Sequence, residues 1–76
     1  MAELLAYLAR ELVDEPGAVH VESSERDGAV VLVLRVAPGD VGKVIGRGGR
    51  IVRALRVLVG ASSPVPGRRV LVEIAG

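Results

Sequence analysis

The stretch Val44-Ile45-Gly46-Arg47-Gly48-Gly49-Arg50-Ile51 gathers the residues of this chain best suited to binding chemistry. Glycine has no side chain, so a glycine loop lets a backbone come close to another molecule. Backbone N–H groups bared at a helix start attract anions, and the helix dipole favours negative charge there. Arg47 at the loop tip and Arg50 behind it add positive charge. These residue types at this spacing suit a clamp on a phosphate chain.

Other reactive side chains do not assemble into a recognisable pattern. There is no cysteine, which removes thiolate zinc sites and cysteine nucleophiles. His20 is the single histidine and has no ligand partner at metal spacing, so it reads as a surface residue. Ser62 and Ser63 have no histidine or acid arranged beside them and read as loop. Asp14-Glu15 reads as a helix end. With no cluster of acids, bases or metal ligands in the basic half, an enzyme is the weakest class, and no cofactor or metal is expected.

Three motifs use glycines in a comparable way. A Walker A loop needs G-x-x-x-x-G-K-[ST], but here Gly42-Lys43 runs into Val44 and the metal-binding hydroxyl is missing. A dinucleotide fingerprint needs G-x-G-x-x-G after a first strand, but Ile51 stands where the third glycine belongs. The third is G-x-x-G between two helices, which Gly46-Arg47-Gly48-Gly49 matches. A tight helix–helix turn with no ligand is the plain alternative for the same glycines.

The elements that must position this loop can be read from periodicity. Residues 3–13 are helical in pattern, with Leu4, Leu5, Leu8 and Leu12 as the expected inner stripe, ending before Pro16. Residues 18–25 alternate as a strand, Arg26-Asp27-Gly28 signals a tight hairpin, and the β-branched run 29–36 reads as a central strand. Asp40 is expected to cap a short helix whose apolar side is Val41, Val44 and Ile45. After the glycine loop, residues 50–60 form a helix with an expected core stripe of Ile51, Ala54, Leu55 and Leu58. Val52, Val57 and Val59 exceed what one thin sheet needs to cover, which motivates a dimer. Residues 61–67 read as a flexible loop, and 68–74 as a last strand with Val70, Val72 and Ile74 inward. One domain over residues 1–76 is expected, an α+β fold of two layers with a three-stranded sheet.

Net charge is +1, but it is unevenly spread. Residues 1–40 hold three arginines against eight acids, whereas residues 41–76 hold seven cations against Glu73 alone. A basic half centred on a glycine loop points to a polyanionic partner. No apolar run approaches the roughly 20 residues of a membrane span. Met1-Ala2-Glu3 lacks the basic start of a secretory leader, so a cytoplasmic location is expected.

With apolar anchors on both sides, V-I-G-x-x-G-x-I, the loop and the order α-β-β-α-α-β resemble KH domains of type II across essentially the whole chain. The length and the closing Arg68-Arg69-Val70-Leu71-Val72-Glu73-Ile74 resemble the small stand-alone bacterial KH proteins. The resemblance implies a two-layer type II KH fold with helices on one sheet face, and non-catalytic binding of single-stranded RNA. It implies contacts from Lys43, Val44, Ile45, Gly46, Arg47, Gly48, Gly49, Arg50 and Arg53, with the bases in an apolar groove floored by Val41, Val44, Ile45 and the strand Val30 to Val36. Such domains accommodate about four nucleotides. It further implies self-association or pairing with a larger KH-containing protein, and a role as RNA chaperone or post-transcriptional regulator linked to cell elongation and division. The competing reading is a protein-interaction module whose apolar surface lies around Val52 and Val59. Tyr7 is the only aromatic, so base stacking on a platform of rings is not available.

Overall fold

The computed structural model describes residues 1–64 and 67–76. In chain order the elements are α1 (Ala2–Leu12), β1 (His20–Arg26), β2 (Ala29–Arg35), α2 (Val41–Ile45), α3 (Arg50–Ala61) and β3 (Val70–Ala75), with short 3₁₀ turns at Pro16–Ala18, Pro38–Asp40 and Arg47–Gly49. This is the α+β, type II KH arrangement. Part of the expected loop at 61–67, positions 65 and 66, lies outside the described residues, and α3 takes up Ala61.

The sheet is mixed and ordered β1-β2-β3. β1 and β2 form an antiparallel hairpin in which His20 faces Arg35 and Arg26 faces Ala29. Asp27 (φ 50°) and Gly28 (φ 79°) both take left-handed conformations, the backbone that a two-residue hairpin turn requires and that Asp-Gly supplies. β3 pairs with β2 in parallel, with Leu32 beside Val72. β2 is therefore the central strand, as its apolar run predicts.

One face of the sheet carries the helices. Leu32 and Leu34 from β2 pack with Leu5 and Ala9 of α1, Val44 of α2, and Leu55 and Val59 of α3. The other face is crossed by ion pairs. Arg26 Nη2 reaches Glu73 Oε2 at 2.8 Å, and Arg35 Nε reaches Glu22 Oε1 at 2.6 Å. By register the Arg26–Glu73 pair spans the row of Val31, which has no exposed surface. Long charged side chains thus cover the apolar centre of a face that no helix covers.

Two helices turn differently from expectation. In α1 the buried line is Leu5, Ala6 and Ala9, while Leu4 and Leu8 are half-buried and Leu12 is exposed. Small alanines beside Leu5 let α1 lie close to the sheet. In α3 the buried positions are Leu55 and Val59, with Ile51 and Val52 partly covered, whereas Ala54 and Leu58 face outward. Ile51 is held against Gly46, so the inner line continues at i+4 and i+8, to Leu55 and Val59. Val59 is a core residue and not part of an interaction surface.

Candidate nucleic-acid interface

The loop hangs between a very short helix and a long one. α2 has five residues and is anchored by Val44, whose side chain is wholly enclosed. Its last turn closes with the Gly46 N–H donating to the Gly42 carbonyl at 2.9 Å. Gly46 then takes φ 75° and ψ 170°, a region open essentially to glycine alone. A Cβ at Gly46 would also lie 2.6 Å from Ile51 Cγ1. The apolar residue after the loop therefore fills the space that the first glycine leaves, and this locks the two helices together.

Gly48 (φ 65°) and Gly49 (φ 76°) follow in left-handed conformations. The Gly49 N–H donates to the Gly46 carbonyl at 3.1 Å, closing a tight turn whose last residue is the N-cap of α3. A Cβ on Gly48 would meet nothing within 4 Å, so this residue faces open space. Arg53, one turn into α3, reaches back and its Nη2 donates to the Gly48 carbonyl at 2.9 Å. It braces the loop while keeping its guanidinium beside it. Arg47 and Arg50 are exposed. Among the described residues, Arg47, Arg50, Arg53 and Arg56, and elsewhere Arg10 and Arg69, make no ion pair, whereas Arg26, Arg35, Arg68 and Lys43 all do. Uncompensated positive charge is therefore concentrated on the loop and the first turns of α3.

Lys43 stands apart from these arginines. Its Nζ lies 3.0 Å from Asp14 Oδ2 and 3.2 Å from Asp40 Oδ1. Asp40 sits at the start of α2 but makes no side-chain capping bond there. Its side chain is buried, and its Oδ2 accepts the Glu15 N–H at 3.1 Å. Burial pushes the Asp40 carboxyl upward. The backbone N–H groups of Glu15 and Asp14 and the Lys43 ammonium outweigh it, and the group is held below the usual carboxylate range. Lys43 is held above its ordinary value by hydrogen bonds to Asp14 and then to Asp40. From the sequence Asp40 is expected as a cap and Asp14 as a helix end; the one local signal for their joint contact with Lys43 is the i, i+3 spacing of Asp40 and Lys43.

The expected apolar floor is rearranged. Val44 is in the core, and Val30, Leu32, Leu34 and Val36 of the central strand are buried beneath the helices. Half-buried Val41 and Ile45 are the apolar side chains of α2 that reach the surface. Val41 lies against the end of β3, where a Cβ on Gly76 would be 2.8 Å from Val41 Cγ2. The described residues form no enclosed pocket, and no three metal-ligating side chains come together among them. No helix among them is long and apolar enough to cross a membrane.

Known proteins are similar to this chain in sequence over nearly its whole length. The family model for the KhpA/KhpB KH domain matches residues 2–74. The RNA-binding protein KhpA of Treponema pallidum is 56% identical over 72 residues, covering 95% of this chain and 90% of the relative. The RNA-binding protein KhpA of Caldanaerobacter subterraneus subsp. tengcongensis is 46% identical over 74 residues, covering 97% and 99%. That of Aquifex aeolicus is 43% identical over 74 residues, covering 97% and 94%. With a matching loop, a matching order of elements and relatives aligned almost end to end, the chain belongs to the KhpA/KhpB family of KH domains.

Proposed function

We propose that this protein binds single-stranded RNA without catalysing a reaction, acting as one KH unit over residues 1–76. The observation that carries the reading is the Gly46–Gly49 loop, with its open face at Gly48 and three arginines free of carboxylate partners around it. Relatives bearing the name RNA-binding protein support it. Gly46, Gly48 and Gly49 let the sugar–phosphate backbone approach, Arg47 meets phosphate at the tip, and Arg50 and Arg53 flank it. Ile45 and Val41 offer bases a shallow apolar edge, while Val44 anchors α2 from inside and Lys43 stands one turn before the loop. The test is Arg47→Asp combined with Gly48→Asp, assayed for RNA affinity in a protein shown to be folded.

The same protein is proposed to work as a dimer, either with a second copy or with a larger KH-containing protein. Without aromatic stacking each site lacks about 1–3 kcal/mol per base, and pairing two sites raises their effective concentration. Val57 and Leu58 are 71% and 52% exposed on α3, beside exposed Ala54 and Ala61, and they are the surface assigned to pairing. That surface favours the second reading, an interaction module in which RNA contact is incidental. Partner capture that survives both nuclease treatment and the loop substitutions would support it. A cytoplasmic role as RNA chaperone or post-transcriptional regulator linked to cell elongation and division rests on the family resemblance.

A further inference from the structure

We propose that Lys43 is a positioning residue for the loop and not a phosphate ligand: the Asp14–Lys43–Asp40 tie fixes α2 to the chain leaving α1 and so sets where Gly46–Gly49 meets RNA. The inference rests on the RNA-clamp reading and assigns a different role to one cation of that site. By position Lys43 looks like a phosphate contact, lying three residues before Gly46 in a basic half. Its surroundings say otherwise. One ammonium stands between two carboxylates, so the cluster has a net charge of −1 and opposes an approaching phosphate. The arginines nearby have no such partners.

The geometry supplies the reason for the tie. A five-residue helix has no stability of its own and is held only by what it touches. Val44 plugs α2 into the core, Ile51 packs against its closing glycine and Val41 against the end of β3, so the side still to be held against rotation is the one facing the chain that leaves α1. Asp40 resists it by gripping the Glu15 N–H, and Lys43 resists it by joining Asp40 to Asp14. Gly46 is bonded through its N–H to Gly42 in the same turn, so a rotation of α2 carries the start of the loop with it.

The two roles predict opposite effects at Asp14, which is exposed at the end of α1 and can be changed without opening the core. Affinity is measured for a fluorescently labelled, mixed-sequence single-stranded RNA of about twelve nucleotides, ample for a site of ~4. The proteins are wild type, Lys43→Met, Asp14→Ala, the double variant, and Arg47→Asp with Gly48→Asp. If the tie positions the loop, Lys43→Met and Asp14→Ala each weaken binding about two- to fivefold, the double variant is no worse than either alone, and the salt slope is unchanged. The amide resonances of Gly46, Gly48 and Gly49 in RNA-free protein then move in both single variants, a readout that a general loss of stability would not produce. If Lys43 is a phosphate ligand, Asp14→Ala tightens binding and Lys43→Met lowers the salt slope by about 0.7. Either result overturns the proposal, as does wild-type affinity in both single variants. Wild-type affinity in the Arg47, Gly48 variant overturns the clamp itself, whatever the Lys43 result.

Discussion

Gly46 and Gly48 sit two residues apart in one loop and face different constraints. At Gly46 a methyl group meets Ile51 Cγ1 at 2.6 Å, and the backbone lies where other residues rarely go. Gly46→Ala is expected to cost about 2–4 kcal/mol, from backbone strain and overpacking together. At Gly48 space is open and only the left-handed φ matters, so Gly48→Ala should cost about 1–2 kcal/mol. Thermal melts of the two variants check the order; equal losses would contradict the contact with Ile51. Asp40 gives a second residue-level prediction. Its carboxyl is held low in the fold, so its contribution to stability is complete above about pH 3.9, the unfolded value, and is lost as pH falls through the lower folded value. Lys43 is held high, so its contribution is complete below about pH 10.4 and is lost as pH rises through the folded value. Asp40→Asn should lower the melting temperature at neutral pH and flatten its fall as the pH drops below about 3.9. Acid curves that run parallel in the variant and the wild type would contradict this.

At the scale of elements, what was legible depended on how local the cause is. The Asp27-Gly28 turn is set by two residues and reads directly from them. The V-I-G-x-x-G-x-I loop reads because its anchors lie within a few positions of it. The rotation of α3 did not read, because Ile51 is placed by contact with Gly46 across the turn and two apolar lines compete for the inner face. The tie of Asp14 and Asp40 through Lys43 joins positions 29 and 3 residues from Lys43, and only the nearer has a sequence signal. The same rotation exposes Leu58 beside the outward Val57, so the proposed pairing surface lies there and not around Val52 and Val59. Replacing Val57 and Leu58 with Asp should leave the core unperturbed, since neither side chain is in it. In sedimentation at micromolar concentration the wild type is expected as a dimer and this variant as a monomer. A wild type that sediments only as the 7.9 kDa chain would remove the proposed pairing with a second copy.

Across the whole molecule, charge and shape divide the work. The open sheet face carries Arg26–Glu73 and Arg35–Glu22, in which cations and anions cancel. The loop end carries Arg47, Arg50 and Arg53 without that cancellation, which suits the proposed binding of an anionic chain at that end. Contact with two or three phosphates predicts a plot of log affinity against log salt with a slope of about −1.4 to −2.1 for a single strand. A slope near zero would mean that apolar contacts, not phosphates, dominate. Whether the Gly46–Gly49 loop holds RNA is decided by the RNA affinity of Arg47→Asp with Gly48→Asp. Arg47 is exposed and Gly48 faces open space, and Asp tolerates a left-handed backbone better than most residues, so the fold should survive. The expected result is a folded variant, by circular dichroism, whose binding to single-stranded RNA is lost. A folded variant that binds RNA as tightly as the wild type would contradict it.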